Sequence, residues 1–538
     1  MELITEGRLG MKFVTVEEMM AIEREADARG LTYEKMMENA GYGLAKIVHQ
    51  EYSQFAGEGV LGLVGSGNNG GDTLVALEHL IKMGWRAAAY IVRPRPADDP
   101  LILRFTNSGG SLCWANVDAD LQQLRELLEN HRLALDGILG TGIRLPLKPE
   151  LAAFLEQTGR LIADRRDTII IAVDCPSGID CDSGQAAPEC LPADLTVTMA
   201  AYKQGLFNFP AYHYVGRVRL VSIGLEALTP LPEAWLASQR FVPDIQWVRQ
   251  ILPRRPPDAH KGTFGTAMIV AGSVNYTGAA WLAGQAAYRI GVGLVTMAIP
   301  QSLHLALAGN FPEATWLPLP EENGVIAGGA APLIHANIQR VTAVLVGPGF
   351  GLRETTGRFL SHLIKSGGAE VEAKLPPLVI DADGLKLLAD LPDWQSSLPS
   401  QAVLTPHPGE MSVLSGLPVQ AIQSDRLRIA EEYARQWGHV LVLKGAFTVV
   451  ASPQGQTAII PVASPALARA GTGDVLAGLI VGLRAQGVEA FESAVAGAYI
   501  HAMAGLEAAK AIGNPAAVMA GDLLKNIPFM ILAQSGRS

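Results

Sequence analysis

Ala468-Arg469-Ala470-Gly471-Thr472-Gly473-Asp474-Val475-Leu476-Ala477-Gly478 is a loop of small residues that runs directly into an apolar helix with a carboxylate in its first turn. Gly471 and Gly473 let backbone N–H groups approach an anion with no Cβ in the way, and the helix that begins beside Asp474 turns its positive end toward the same point. A carboxylate placed there repels the anion that the glycines attract. Asp474 therefore reads as a general base, taking a proton from a hydroxyl that attacks a bound phosphate. The plainer reading is a helix cap after a glycine turn. The rest of the chain decides between them.

Upstream of this loop, strand, loop and helix alternate with chemistry-bearing residues at the strand ends. The strand from Thr266 is followed by Tyr276-Thr277-Gly278-Ala279-Ala280, a helix start small enough for a flat ligand to approach. Ala343 to Val346 leads into Gly347-Pro-Gly349-Phe-Gly351, a second glycine loop. Leu378-Val-Ile-Asp381-Ala-Asp383 comes next, then Thr405-Pro-His407-Pro-Gly409-Glu410, where two prolines hold the histidine rigidly enough to suggest a ligand contact. Val440-Leu-Val-Leu-Lys444-Gly445-Ala446-Phe447-Thr448 puts a lysine and backbone donors after another strand, a plausible nucleotide edge. With these loops in one continuous α/β stretch, the plain cap becomes the minority reading of Asp474.

The first half shows the same alternation. Thr15-Val-Glu-Glu18 is a capping box that opens a helix with Met19, Met20, Ile22 and Ala26 at helical spacing. A second helix carries Glu38 and Asn39, readable as surface or as site residues. Val60 to Val64 is a short buried strand, followed by the loop Gly65-Ser-Gly67-Asn68-Asn69-Gly70-Gly71-Asp72 and a helix from Thr73. Strand, glycine loop, helix is a doubly wound nucleotide-binding unit. The two asparagines are the informative part, since side-chain amides read a carboxamide or ribose or offer neutral oxygens to a monovalent cation. Asp136 and Asp174 each close a later apolar strand, with Ser177 just beyond; by the topology rule Asn69, Asp136, Asp174 and Ser177 converge on one crevice. Strands near 193–200 and 218–223 complete the sheet. Lys203, between them, reads equally as a solvated charge or as a phosphate contact.

At 538 residues the chain exceeds one hydrophobic core. The proline-broken stretch 227–255 reads as a linker between domains 1–226 and 256–538. With 49% hydrophobic and 17% charged residues and a net charge of −10, the composition fits buried α/β domains and argues against disorder, a coiled coil or a nucleic-acid surface. The acidic start, Met1-Glu-Leu-Ile-Thr-Glu-Gly-Arg8, lacks the pattern of a signal peptide, and Gln285 and Arg289 interrupt the best membrane candidate. A soluble cytoplasmic protein is expected. Cys113, Cys175, Cys181 and Cys190 lack zinc-site spacing and are expected to be free thiols.

As a set, Glu38-Asn-Ala-Gly41, Gly67-Asn-Asn-Gly-Gly-Asp72, Asp136 to Gly142 and Asp174-Cys-Pro-Ser-Gly178 resemble the NAD(P)HX epimerase domain. Gly347-Pro-Gly-Phe-Gly351, Thr405-Pro-His-Pro-Gly-Glu410, Lys444-Gly and Gly471-Thr-Gly-Asp474 resemble the nucleotide-dependent NAD(P)HX dehydratase of the ribokinase-like superfamily. The order matches the fused bacterial repair enzymes. The resemblance implies an N-terminal Rossmann-like three-layer sandwich, a C-terminal ribokinase-like α/β domain, and repair of NADH or NADPH to whose ring water has added. Asn69, Asp136 and Ser177 would bind K⁺. Asn68, Asn69, Gly70, Gly71, Asp72, Gly140, Thr141, Gly142, Ile143, Arg144, Leu145, Pro146 and Asp174 would hold the hydrated dinucleotide, with Asp174 as acid/base. In the second half Ala279, Gly351, His407 and Asp474 would meet the substrate, Asp474 as base. Lys444, Gly445, Ala446, Phe447, Thr448, Gly471, Thr472 and Gly473 would bind ADP or ATP with Mg²⁺, ADP being expected for a bacterial fusion. Thr472 stands where many related kinases have Ala. A homo-oligomer is expected. The rival reading is a vitamin- or sugar-type kinase behind a non-catalytic N-terminal module.

Overall fold

The computed structural model describes residues 11–96, 98–165, 167–365 and 375–532; the acidic N-terminal stretch read above lies outside them. Two compact units divide the described chain between Gln239 and Arg240.

The N-terminal unit contributes β1 (Met11–Val14), β2 (Val60–Val64), β3 (Ala87–Ile91), β4 (Ser111–Trp114), β5 (Leu133–Gly137), β6 (Ile169–Val173), β7 (Leu195–Met199), β8 (Tyr202–Lys203) and β9 (Arg217–Val221). Seven of them form one parallel sheet in the order β4-β3-β2-β5-β6-β7-β9. Helices cover both faces, so the strands are apolar on both sides: Val60 and Val64 enter one core while Leu61 and Leu63 enter the other. Each such side chain contributes about 1.5–3 kcal/mol on burial. The strand order reverses between β2 and β5, which opens a crevice at the carboxyl ends of those two strands. Separately, β1 and β8 pair in parallel with Val14 opposite Lys203.

The C-terminal unit adds β10 (Arg240–Val242), β11 (Thr266–Val270), β12 (Leu294–Pro300), β13 (Thr315–Leu319), β14 (Glu321–Glu322), β15 (Val325–Ile326), β16 (Ala343–Val346), β17 (Leu378–Ile380), β18 (Val403–Leu404), β19 (Val440–Leu443), β20 (Val449–Ala451) and β21 (Thr457–Ile459). From β13 the sheet runs β12-β11-β16-β17-β18-β19 in parallel; β20 and β21 then extend it antiparallel, and β10 joins β21 in parallel. Here the order reverses between β11 and β16. The best membrane candidate by hydropathy is helix Thr277–Arg289 followed by β12. No helix among the described residues is long and apolar enough to cross a membrane. Helix Thr472–Ala485 packs on helix Thr277–Arg289 at very short range: a Cβ on Gly478 would lie 2.3 Å from the Ala283 carbonyl oxygen.

The stretch 227–255 is not a bare linker. Before the division, helix Glu233–Ala237 belongs to the N-terminal unit, where the Lys12 ammonium donates to the carbonyls of Trp235 and Ser238. After it, β10 and helix Ile245–Ile251 are part of the C-terminal unit. Prolines break the periodicity there because the elements are short, not because the chain is unstructured.

Candidate active sites

Around the N-terminal crevice, the loop after β2 is shorter than its glycines suggest. The helix begins at Asn68 rather than Thr73, so Asn68 to Asp72 form its first turn. Packing overrides the poor helix propensity of this run. A Cβ on Gly70 would sit 2.0 Å from the Gly65 carbonyl oxygen, and one on Gly71 would sit 2.7 Å from the Met37 side chain. These two glycines therefore permit close approach of the helix to its surroundings. Gly70→Ala is expected to destabilise the N-terminal unit by about 1–3 kcal/mol through overpacking. Gly67→Ala, whose Cβ meets nothing within 4 Å, is the matched control in thermal unfolding.

A cavity of about 620 Å³ opens beside this helix start, and Asn68, Asn69, Gly140, Thr141, Gly142, Ile143, Arg144 and Pro146 all line it. Leu145 does not. Arg93 and Lys148 also line it, two cations the sequence did not single out. At its base Asp136, fully buried, accepts from the Ser177 backbone N–H at 2.8 Å and from Ser177 Oγ at 2.6 Å. Burial raises the Asp136 carboxyl above its ordinary range, against the opposing pull of the Ser177 bonds. Leu139 N–H donates to Ser177 Oγ, and Asn69 Nδ2 donates to the carbonyls of Leu139 and Val173. Asn69 Oδ1 lies against Gly140, 2.6 Å from where a Cβ would stand. The three residues expected to share a cation are thus one connected group of oxygens with a single carboxylate, a donor set suited to a large monovalent ion.

Asp174 ends β6 at a φ of 65°, a region that non-glycine residues avoid, with its N–H held by the Val197 carbonyl. Its Oδ1 accepts from Thr198 Oγ1 at 3.0 Å, from Met199 N–H at 2.9 Å and from the Lys203 ammonium. Lys203 is neither a solvated charge nor a phosphate contact: at 1% exposure it is the buried counter-ion of Asp174. A second cavity, of about 300 Å³, is lined by Glu23, Tyr33, Met36, Asn68, Asp72 and Met199 among others, and Asp174 lines neither cavity. Of the two polar residues left open earlier, Glu38 bonds His79 and Arg104, while Asn39 donates to the Ile223 carbonyl. Both are structural. The four cysteines are free thiols.

In the C-terminal unit Gly471 caps helix Thr472–Ala485 at a φ of 88°, without a capping side chain. The backbone N–H groups of Gly473 and Asp474 have no partner among the described residues, because the loop spends its own bonds on Thr472 and Val475. Thr472 Oγ1 bonds the carbonyls of Leu467 and Arg469 at 2.9 and 2.8 Å. The hydroxyl that distinguishes Thr from Ala at this position therefore closes the loop. A cavity of about 160 Å³ lies alongside, and Lys444, Gly445, Ala446, Thr448, Thr472 and Gly473 line it. Phe447 does not; its ring is buried and its N–H bonds the Val462 carbonyl. His501 also lines this cavity and bonds the Thr472 carbonyl at 2.9 Å. Burial pushes its imidazole down to about 4, so it is neutral near pH 7.

Lys444 ties this cavity to a cluster of acids. Its ammonium lies 2.6 Å from Asp381 and 3.6 Å from Glu410. Burial works against the charge, but the two carboxylates outweigh it and hold the ammonium above its ordinary range. Asp381 also accepts from Thr405 Oγ1, and Asp383 accepts from Gly351 N–H. His407 caps helix Pro408–Ser415 through Nδ1 and faces Glu410 through Nε2 at 3.3 Å. Ala279 packs where a Cβ on Gly349 would fall, which places the first helix and the glycine loop together at the β11/β16 reversal. Asp474 shares the field of Asp381, Lys444, Asp383 and Glu410, and burial foremost lifts its carboxyl to about 7. Asp381 and Glu410, central to this network, were legible only as members of strand-end motifs.

The chain matches the family described as NAD(P)H-hydrate dehydratase over residues 267–528 and the YjeF-related protein N-terminus over residues 33–205. A bifunctional NAD(P)H-hydrate repair enzyme of Moorella thermoacetica is 36% identical over 532 residues, spanning 97% of each chain. One of Salinibacter ruber is 34% identical over 538 residues, 97% of this chain and 96% of the relative. Among solved structures, an ADP/ATP-dependent NAD(P)H-hydrate dehydratase from Bacillus subtilis, co-crystallised with ATP and Mg²⁺, is 30% identical, covers 54% of this chain and 97% of its own, and has a TM-score of 0.45. Carrying both halves in one chain at this level of identity, the protein belongs to the family of bifunctional NAD(P)H-hydrate repair enzymes.

Proposed function

We propose that the N-terminal unit interconverts the R and S forms of hydrated NADH and NADPH, and that the C-terminal unit returns the S form to NAD(P)H with ADP or ATP. The observation that carries the second half is Asp474 at the open end of its helix, beside the lysine-lined cavity and with a carboxyl near 7. Asp474 takes the proton of the ring hydroxyl as its oxygen attacks the terminal phosphoryl group. The N–H groups of Gly473 and Asp474 and the helix end stabilise the charge on that group. The ring nitrogen then expels phosphate from the adjacent carbon, a far better leaving group than hydroxide, and loss of a proton from the next carbon restores the double bond. Lys444, Gly445, Ala446 and Thr448 hold the nucleotide, for which we take ADP as the donor. Ala279, Gly351 and His407 bound the ring site. Mg²⁺ accompanies the nucleotide phosphates, taking most of its ligands from them and from water.

In the N-terminal unit Asn68, Asn69, Asp72 and the 140–146 segment hold the hydrated dinucleotide, and Asp174, with Lys203, supports the site. Asn69, Asp136 and Ser177 are the residues that would hold K⁺, which would supply positive charge near the bound phosphates and fix the loop after β5. The same reading places a cytoplasmic homo-oligomer.

The test is absorbance at 340 nm while the protein acts on mixed epimers with ADP, ATP or no nucleotide. Complete nucleotide-dependent recovery is expected, with inorganic phosphate released. Recovery that stops at the share of one epimer would remove the epimerase half. Phosphate retained on the product would replace the dehydratase with a kinase.

A further inference from the structure

We propose that Asp72, with Glu23 beside it, is the catalytic acid of epimerisation, and that the Asp174–Lys203 pair positions the site without transferring the proton. This rests on the epimerase reading of the N-terminal unit. Asp72 is 7% exposed, lines the cavity of about 300 Å³ together with Glu23, and has no side-chain hydrogen bond among the described residues. Asn68 lines both this cavity and the larger one, which places the two side by side at the helix start. Asp174, by contrast, has three donors on one oxygen and lines neither.

The groups that face Asp72 set its state. Glu23 comes from helix Val16–Ala28, Tyr33 from the start of the next helix, Asp174 from the end of β6 and Lys203 from β8. Arg104, on the helix packed against the other side, is taken by Glu38 and Glu78. Burial first, then Asp174 and Glu23, raise the Asp72 carboxyl well above its ordinary range, and Lys203 opposes them. Asp72 is thereby biased toward its protonated form, while Glu23 and Asp174 leave the pocket favourable to a cation.

That combination fits cleavage of the carbinol C–O bond. The Asp72 proton passes to the hydroxyl oxygen, the C–O bond breaks, and its electron pair leaves with water. The lone pair of the ring nitrogen forms a C=N bond, giving a cationic ring. Water then adds to the opposite face; the C=N pair returns to nitrogen and the released proton goes back to the Asp72 carboxylate. Nothing is oxidised or reduced.

The experiment measures epimerisation in the full chain without nucleotide, in ¹⁸O water and across pH, for the wild type, Asp72→Asn and Glu23→Gln. Uptake of solvent oxygen at the carbinol carbon is expected, with an alkaline limb as Asp72 loses its proton. Asp72→Asn is expected to lower kcat by about 10²-fold or more with KM nearly unchanged, circular dichroism confirming the fold. Glu23→Gln removes a negative neighbour, so the alkaline limb is expected to move to lower pH. Retention of the original oxygen, a rate for Asp72→Asn within threefold of wild type, or a limb unmoved by Glu23→Gln would each overturn the proposal. A wild type that does not epimerise at any pH would overturn the epimerase reading itself.

Discussion

Asp474→Asn is expected to lower nucleotide-dependent dehydration by about 10²–10⁴-fold while epimerisation continues at its normal rate. The amide keeps the size of the side chain and the helix end, so nucleotide binding is expected to survive. What it removes is the proton acceptor. The pH profile supplies a check on the wild type. Burial, with Asp381 next, lifts the carboxyl to about 7 against the opposing effect of Lys444. A base must be ionised to work, and a raised carboxyl is protonated below its midpoint. Dehydration at limiting substrate is therefore expected to fall about tenfold per pH unit below 7, a limb that is absent from whatever activity Asp474→Asn retains. A residual rate near wild type, or an acid limb at the ordinary carboxylate range, would take Asp474 out of that role.

The second large effect is on stability. The side chains of Asp381 and Glu410 are 2% and 4% exposed, and the cation that compensates them within 4 Å is Lys444. Lys444→Met leaves both carboxylates buried beside an apolar chain. Breaking such a buried pair costs about 3–5 kcal/mol, which for a unit of this size lowers Tm by roughly 5–8 °C. Pairing it with Asp381→Asn is expected to recover part of the loss, since one stranded charge is then gone. Calorimetry on the wild type, both single variants and the double variant checks both statements, and additivity of the two changes would deny the pair.

The parts of the fold legible in the sequence were those set by local pattern. Apolar runs closed by Asp or Gly gave the central strands of both sheets, and the strand-end carboxylates marked the crevices because parallel topology delivers them there. Of the edge strands, β9 was legible and β4 and β13 were not. Ser111–Trp114 is only partly buried, and β13 carries Pro318, which an edge tolerates and a periodicity reading rejects. The site was legible in its glycines and misread in its partners. Lys203 sits in a loop-like context, and its place is fixed by pairing with β1, nearly the whole N-terminal unit away in sequence. Glu23 looked like one more polar position on an amphipathic helix. Only the packing of that helix near the start of helix Asn68–Lys82 brings it to Asp72. Gly70 and Gly71 have a packing reason the pattern did not show: the carbonyl of Gly65 and the Met37 side chain already occupy the space a Cβ would need.

The short pairing of β1 with β8 has a practical side. Val14 lies opposite Lys203 and Phe13 opposite Tyr202, so β1 acts as a clamp on the lysine that neutralises Asp174. Epitope tags, fusion partners or protease sites placed hard against Met11 would tug on that clamp and surface as a defect in the ring chemistry of the N-terminal half. The damage would look like a catalytic mutation while every catalytic side chain was intact.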